Sequence, residues 1–168
     1  MSDALHPYRS HTCNDLRADH VGSTARLSGW INRRREHAGP LFIDLRDHYG
    51  VTQCVVLESS PHYETLRRVK LESVVTLTGR VMQRDDEAVN DKLATGQIEV
   101  YVDDAEVQSA AEQVPLQVNS NDDINEDLRL TYRYLDLRRE KVHANIMLRA
   151  KVIESLRRRM VEQGFTEF

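Results

Sequence analysis

One aromatic side chain and a run of arginines carry the strongest chemical signal in the sequence. Around Phe42, the apolar face of an alternating segment is already supplied by Leu41, Ile43 and Leu45. The Phe42 ring is therefore expected on the opposite face of that segment. The arginine run that precedes it consists of Arg33, Arg34 and Arg35. Because every base has a π-face and guanidinium groups neutralise phosphates, this combination suits the binding of single-stranded RNA.

Each of these residues also has a simpler interpretation. Phe42 could pack beneath the N-terminal segment or a loop, and the three arginines could be a solvated strand end. Gln53 is both a donor and an acceptor and could hydrogen-bond a base edge, but an exposed glutamine on a strand is usually only solvated. The spacing alone leaves both interpretations open.

Composition limits the classes of function. The chain of 168 residues is 40% hydrophobic and 30% charged, which is typical of a soluble globular protein. Its net charge of −4 argues against a general nucleic-acid coat, so any RNA site must be a local patch. The sequence has no apolar run as long as a transmembrane helix and no signal-peptide pattern. We therefore expect a cytoplasmic protein without a membrane partner.

Other candidate sites are weak. Cys13 and Cys54 are far apart and form no CxxC pair, so we expect free, reduced thiols rather than a disulfide or a zinc site. Asp44 and Asp47 flank Arg46, where local salt bridges are a commoner outcome than acid-base catalysis. No glycine-rich phosphate loop occurs. The sequence thus predicts no metal site and no catalytic residue.

Periodicity predicts a mainly β fold, because apolar and β-branched residues alternate with polar ones in five segments. The predicted strands are Ala25–Arg33, Leu41–Asp47, Val51–Leu57, Val74 to about Arg84, and Ile98 to Asp103 or beyond. A short helix is expected at Tyr63–Val69, capped by the segment Ser59-Ser60-Pro61. Three strands, a helix and two strands match the five-stranded OB barrel, and a different small barrel or an open sheet is the alternative.

The pattern changes after Ser109. Residues 109–126 are polar, with few large apolar side chains, and are predicted to be a linker. Asn125 can cap a helix, whose apolar stripe would be Leu128, Tyr132 and Leu135. A longer helix follows, whose repeating apolar residues are Leu148, Val152, Leu156 and Met160, and Gly164 is expected to end it. The predicted regions are an OB domain (1–108), a linker with a hinge helix (109–140), and the start of a further domain (141–168).

Four segments resemble the N-terminal part of the bacterial aspartyl-tRNA synthetases. They are Leu27–Arg35 (LSGWINRRR), Leu41–Asp47 (LFIDLRD), Ala94–Val100 (ATGQIEV) and Tyr132–Arg139 (YRYLDLRR). The likeness runs from about Tyr8 to Phe168. The RYLDL sequence alone is shared with the asparaginyl and lysyl relatives, whereas its combination with LFIDLRD is more specific to the aspartyl enzymes.

This resemblance implies a class II aminoacyl-tRNA synthetase, a homodimer at full length, that joins aspartate to tRNA(Asp) using ATP and Mg²⁺. Its OB barrel would bind the anticodon. By matching position, Phe42 resembles the residue that stacks on the middle anticodon base, and Gln53 the residue that hydrogen-bonds that base. Arg35 resembles a base or phosphate contact, and Glu99 a reader of an anticodon edge. Arg33 and Arg34 are expected to contact phosphates.

The loop between the fourth and fifth strands departs from the family. Glu87 and Ala88 stand where basic or amide residues are frequent, which leaves Arg84 and Asn90 as the nearest equivalents for contacts to the outer anticodon bases. His37 follows the arginine run, and a neutral imidazole can donate or accept a hydrogen bond. With Glu87, it is the candidate for discrimination at the third anticodon base. The sequence predicts a relaxed enzyme that also accepts tRNA(Asn).

Two classes of function follow from these patterns. One is the anticodon-binding part of an aspartate-tRNA ligase, and the other is a stand-alone OB-type module that binds single-stranded nucleic acid. Residues from Glu126 onward favour the first, since a stand-alone module needs no hinge helix. Residues 141–168 resemble the first class II motif, a dimer-forming helix. The second and third class II motifs do not occur, so this chain alone is expected to be catalytically inactive.

Overall fold

The computed structural model describes residues 6–120 and 122–168. The chain divides into two compact units, Met1–Val114 and Pro115–Phe168. This division falls inside the predicted linker, and the three regions predicted from the sequence (1–108, 109–140 and 141–168) stay a prediction.

The first unit contains a closed barrel with the strand order β1-β2-β3-β5-β4. Its strands are β1 (Thr24–Glu36), β2 (Leu41–Arg46), β3 (Val51–Val56), β4 (Val74–Gln83) and β5 (Ile98–Ser109). Only β3 and β5 pair in parallel among these neighbours. The predicted five-stranded barrel is confirmed, and the open sheet is wrong because β1 pairs with both β2 and β4.

The core follows the alternation that the sequence shows. The fully buried residues include Leu27 and Ile31 of β1, Leu41, Ile43 and Leu45 of β2, and Cys54 and Val56 of β3. The burial of each such side chain stabilises the folded state by about 1.5–3 kcal/mol. In β2 a half-exposed residue separates each buried one from the next, so Phe42 lies on the outer face as predicted. Gln53 likewise lies on the outer face, because the side chain of the next residue, Cys54, is buried in the core.

A bulge interrupts β1. Ile31 pairs with Leu45, but the next pairing along β2 joins Asp44 to Arg33, which leaves Asn32 as an extra residue. An extra residue reverses the in-out phase of the strand beyond it. The arginine run therefore does not continue the alternation set by the first half of β1.

Helix α1 (Tyr63–Arg68) connects β3 to β4 at the predicted position. The predicted capping by the serine segment is wrong, since the N-cap residue is His62 and makes no side-chain cap hydrogen bond. Ser60 Oγ instead accepts a hydrogen bond from His62 N at 3.3 Å. Leu66 anchors the helix, because its side chain is fully buried in the barrel core.

The described residues of the second unit form the helices α2 (Glu126–Thr131), α3 (Arg133–Asp136) and α4 (Glu140–Glu162). Asn125 caps α2 as predicted, since its side chain accepts a hydrogen bond from Asp127 N at 2.8 Å. The expected single helix through Leu135 is wrong, because Tyr132 leaves helical geometry with φ −108° and ψ 47°. Gly164, with φ +89°, follows the end of α4 as predicted.

A buried carboxylate accompanies the break between α2 and α3. Asp136 is fully buried and accepts hydrogen bonds from Arg129 Nε at 3.0 Å and from Arg133. In a straight helix, Arg129 and Asp136 would be about 10 Å apart along the axis. Burial alone would raise the pKa of Asp136, but the guanidinium groups of Arg129, Arg133 and Arg139 hold it below its usual value.

Residues 6–120 and 122–168 contain neither a membrane-spanning helix nor a cluster of metal ligands. None of their helices combines the length and the apolar character that crossing a bilayer requires. Nor do three or more histidine, cysteine or carboxylate side chains gather there in an arrangement that could hold a metal ion.

We expect neither cysteine to react with DTNB in the folded protein. Cys13 and Cys54 are fully buried. Burial raises the pKa of both thiols. The Asp47 carboxylate raises the pKa of Cys13 further, and the Asp44 carboxylate raises that of Cys54. Because the thiolate is the nucleophile, labelling at pH 8 should begin only when a denaturant unfolds the barrel. Rapid labelling of the native protein would contradict this expectation.

Candidate nucleic-acid interface

Two rows of side chains cross the outer face of the barrel. Strand pairing places in the first row Arg35, Phe42, Val55 and Tyr101. The second row consists of Arg33, Asp44, Gln53 and Glu99. We call these eight residues the outer patch. Among the residues predicted from the sequence, it brings together Arg33, Arg35, Phe42, Gln53 and Glu99.

A continuous chain of hydrogen bonds links four members of the outer patch, Asp44, Arg35, Gln53 and Glu99. Arg35 Nη2 donates to Asp44 Oδ1 at 2.9 Å and to Gln53 Oε1 at 3.1 Å. Gln53 Nε2 donates to Glu99 Oε2 at 2.9 Å. Each of these bonds includes an ionised group, which makes it stronger than a bond between neutral groups. The polar side chains are thus held in place in the free protein.

The first row offers a stacking surface. Val55 faces outward and lies outside the core cluster, yet only 2% of it is exposed. Its paired neighbours are Phe42 on one side and Tyr101 on the other. Phe42 itself stays half-exposed. A ring supported from the side and open to solvent can stack on a base at little cost in side-chain entropy.

The N-terminal segment does not provide the alternative packing considered for Phe42. From His6 onward, this segment is hydrogen-bonded to β1 and to the turn between β2 and β3. Ser28 Oγ donates to Tyr8 O, and Cys13 N donates to Asp47 Oδ2 at 2.9 Å. Asp47 lies at the opposite end of β2 from Phe42. The described part of the segment is therefore bound away from the ring.

Glu99 is held by several groups around its carboxylate. Besides the bond from Gln53, Arg84 Nε lies 3.9 Å from Oε2, and Tyr101 follows Glu99 by two residues in β5. Burial and the Glu99 carboxylate raise the pKa of Tyr101, so its hydroxyl stays protonated at neutral pH. Glu99 thus presents its remaining lone pairs as fixed acceptors on the outer face.

Arg84 lies beneath the outer patch rather than on it. Its side chain is 3% exposed, and its Nε donates to Ile98 O at 2.9 Å. Burial lowers the pKa of its guanidinium, and Glu99 opposes that shift. Its Nη2 is buried and has no partner among the described residues. The expectation of a direct contact from Arg84 to an outer base is not met in this conformation, because the β4–β5 loop covers the side chain.

Asn90 builds the loop between β4 and β5. Its Oδ1 accepts a hydrogen bond from Lys92 N at 3.1 Å. The loop folds so tightly that a Cβ at Gly96 would lie 1.8 Å from Asn90 O, so only glycine fits there. One lone pair of the Asn90 side-chain oxygen is thus used within the loop.

His37 and Glu87 border the outer patch at opposite ends. His37 is exposed in the turn between β1 and β2, beyond the pairing of Arg35 with Phe42. Glu87 is exposed in the short 3-10 turn Asp86–Ala88, beyond the end of β5 that carries Glu99. The structure does not bring these two side chains together, and their joint role stays a prediction.

Strand alternation separates the three arginines, and the bulge determines which of them face outward. Arg33 and Arg35 share the outer face with Phe42, whereas Arg34 pairs with the inward-facing Ile43. Arg34 Nη1 donates to Leu66 O at 3.3 Å and also to Val69 O, so it caps the end of α1. The expected single patch of three arginines is therefore wrong in geometry, and Arg34 has a structural position.

Sequence reasoning missed three members of the outer patch, Asp44, Val55 and Tyr101. The signal that could have identified them was the strand period of two. Tyr101 follows Glu99 by two residues and Asp44 follows Phe42 by two, so each shares a face with a residue already chosen. Asp44 was instead assigned to a local salt bridge around Arg46, whereas its carboxylate pairs with Arg35.

Comparison with protein families gives a decisive match for the barrel. Residues 25–108 match the model of the OB-fold nucleic acid binding domain. The chain belongs to this family. Residues 125–168 match a second model, described as tRNA synthetases class II (D, K and N). The match to the OB-fold family covers all five strands and the whole outer patch.

Curated relatives agree with the resemblance read from the sequence. The chain is 56% identical over 164 residues to the aspartate-tRNA(Asp/Asn) ligase of Gluconobacter oxydans and 57% identical to that of Erythrobacter litoralis. Each alignment covers 98% of this chain and 27% of the relative. The chain thus spans about a quarter of the length of these relatives, and the resemblance to bacterial aspartyl-tRNA synthetases is confirmed.

Solved structures share the fold. The asparaginyl-tRNA synthetase of Pyrococcus horikoshii, complexed with asparaginyl-adenylate, is 25% identical with a TM-score of 0.80. That alignment covers 94% of this chain and 35% of the synthetase. The aspartyl-tRNA synthetase of Entamoeba histolytica is 20% identical, with a TM-score of 0.82. That alignment covers 93% of this chain and 38% of the synthetase chain.

We expect substitutions of Arg33 and Arg34 to have different effects. Arg33→Met should flatten the dependence of RNA affinity on salt by about 0.7 in log-log slope, the value for one phosphate contact on a single strand. Arg34→Met should leave the slope unchanged and lower the free energy of unfolding by roughly 1–3 kcal/mol, because it removes the cap of α1. Fluorescence anisotropy at several KCl concentrations and urea unfolding measure the two effects.

Each of these variants serves as the control for the other, since both replace one guanidinium within the same strand. A flattened slope in Arg34→Met with unchanged stability would show that Arg34 contacts phosphate after all.

Proposed function

We propose that the outer patch binds the anticodon of tRNA(Asp). The observation that carries this proposal is the half-exposed Phe42 ring beside the fixed chain of Arg35, Gln53 and Glu99. Stacking supplies affinity for any base, whereas fixed donors and acceptors supply a preference among bases. The match of residues 25–108 to a nucleic-acid-binding family and the printed names of the relatives support this assignment.

Each residue has a proposed part. Phe42 stacks on the middle anticodon base, and Gln53 hydrogen-bonds the edge of that base. Glu99 accepts a hydrogen bond from the third base. Arg33 and Arg35 neutralise phosphates or contact a base. The amide group of Asn90 is the remaining candidate for an outer base.

The full-length protein is proposed to be an aspartate-tRNA ligase that uses ATP and Mg²⁺. This rests on the match of residues 125–168 to the class II family and on the relatives' names. ATP would supply the energy to activate aspartate. Among the described residues, no group of three or more histidine, cysteine or carboxylate side chains could hold a Mg²⁺ ion.

A homodimer is proposed for the full-length protein, and α4 supports it. Its apolar stripe is exposed at 63% for Leu148, 50% for Val152, 58% for Leu156 and 43% for Met160. These residues repeat every four positions and form one continuous apolar strip on the helix. A strip of this kind is typical of a helix that packs against a partner.

The alternative function, a stand-alone OB module, is disfavoured by one observation. Residues 125–168 match a synthetase family that a free nucleic-acid-binding module would not contain. The proposed ligase would act in the cytoplasm, where tRNA is charged.

The third anticodon base decides whether tRNA(Asn) is also a substrate. The anticodons for aspartate and asparagine differ there by C against U, which present an amino donor and a carbonyl acceptor respectively. A carboxylate such as Glu99 favours C. His37 can either donate or accept a hydrogen bond, and Glu87 stands where the family often has a basic or amide residue. We propose a relaxed ligase, in agreement with the relatives' printed name of aspartate-tRNA(Asp/Asn) ligase.

Phe42→Ala should weaken binding to an anticodon stem-loop by about ten- to a hundredfold, because stacking on an aromatic ring is worth roughly 1–3 kcal/mol per base. Fluorescence anisotropy gives the dissociation constant, and circular dichroism checks that the barrel is folded. Tyr49→Ala is the matched control, since it removes an exposed ring from the turn between β2 and β3, outside the outer patch. Equal affinities of Phe42→Ala and the wild type would remove Phe42 from the site.

The wild-type chain should bind stem-loops with the anticodons GUC and GUU with affinities that differ by less than about thirtyfold, below the roughly 2 kcal/mol of one good base-edge contact. His37→Leu removes the adaptable imidazole and should increase the preference for GUC. Competition titrations at one fixed salt concentration measure both preferences. A larger preference for GUC in the wild type would mean that the ligase is strict for tRNA(Asp).

A further inference from the structure

The side-chain amide of Gln53 is engaged at both of its ends. Its Oε1 accepts from Arg35 Nη2 at 3.1 Å, and its Nε2 donates to Glu99 Oε2 at 2.9 Å. Rotation of the amide by 180° would place its NH₂ group against a guanidinium and its oxygen against a carboxylate. Two donors or two acceptors cannot form these bonds. The orientation of Gln53 is therefore determined by one cation and one anion.

The cation in this arrangement is not rigid by itself. The Arg35 side chain is 56% exposed, and a long exposed side chain retains several rotamers unless a partner holds it. The partner is Asp44, whose carboxylate is 13% exposed and lies 2.9 Å from Arg35 Nη2. The same nitrogen donates to both Asp44 and Gln53. Asp44 thus fixes the one Arg35 atom that orients Gln53.

Asp44 is well placed to act as the fixed point. It lies in the middle of β2 and pairs with Gln53 on β3 and with Arg33 on β1. Its backbone is held on both sides by strand pairing, so its carboxylate moves less than the arginine that it binds. Asp44 follows Phe42 by two residues in the same strand, so both side chains lie on the outer face.

We propose that Asp44 is a positioning residue that sets the preference for the middle anticodon base, acting through Arg35 on the amide of Gln53. This inference rests on the proposed function, in which Gln53 hydrogen-bonds that base. The middle base is U in the anticodons for both aspartate and asparagine. With its orientation fixed, Gln53 has one free N–H and one free lone pair at known positions. Uracil and cytosine present opposite groups at the 4-position, so a fixed amide distinguishes them and a rotating one does not.

The test compares stem-loops whose middle base is U or C, with anticodons GUC and GCC. The wild type should prefer U by about tenfold or more, the lower end of the range for one good base-edge contact. Asp44→Asn should reduce this preference to less than about threefold, chiefly because the C stem-loop binds more tightly. A gain of affinity for the wrong base separates a positioning effect from damage to the site, since damage weakens both complexes.

Asp127→Asn is the matched control, because it removes the same charge from an exposed side chain of the second unit. It should leave the preference for U unchanged. Circular dichroism and urea unfolding establish that each variant is folded. Asp44→Ala provides a second variant that removes the acceptor altogether, and it should give the same loss of preference.

A double-mutant cycle tests the route of the effect. In an Arg35→Met background, Asp44→Asn should change the preference for U by less than about twofold, because Asp44 then has no arginine to hold. A further loss of preference in that background would overturn the inference. So would an Asp44→Asn variant that keeps the wild-type preference, or one that weakens both complexes equally. A wild type that does not prefer U would overturn the proposed role of Gln53 itself, and the inference with it.

Discussion

Closure of the barrel is the constraint on which the other features depend. Every strand pairs on both of its edges, so no strand edge is available for a ligand along the paired segments. One face of each strand is used by the core, and only the outer face can carry binding groups. Because the side-chain period of a strand is two, the position of each polar or aromatic residue follows from the register that closes the barrel. Core packing and ligand chemistry are therefore specified by the same pairings.

Those parts of the site that depend on local alternation could be predicted. The buried Leu41, Ile43 and Leu45 predicted the outward Phe42, and the buried Cys54 predicted the outward Gln53. Pairing between distant segments could not be predicted in this way. The parallel contact of β3 with β5 brings Glu99 to Gln53 across a sequence separation of 46 residues, and no local pattern encodes it. Glu99 was chosen from a family resemblance and not from spacing.

The remaining errors have a common physical cause, which is a tertiary contact that changes local geometry. The extra residue Asn32 turns Arg33 and Arg35 outward and Arg34 inward. The buried Asp136 accompanies a break in a segment for which periodicity predicted one continuous helix. The family resemblance made Arg84 a candidate contact to an outer anticodon base, yet its side chain is 3% exposed. The charges of the outer patch also offset one another, which agrees with a protein of net charge −4 that binds through a local site. Such a face favours selection among bases over general attraction to phosphate.

The bulge at Asn32 has a consequence for anyone who transfers this binding face to another OB barrel. Copying the identities of Arg33, Arg35 and Phe42 onto a strand without the extra residue would direct both arginines into the hydrophobic interior and would bring out Arg34 instead. The length of the strand is therefore as much a part of the binding specification as the side chains. A search for barrels with similar chemistry should align bulges before it aligns residues.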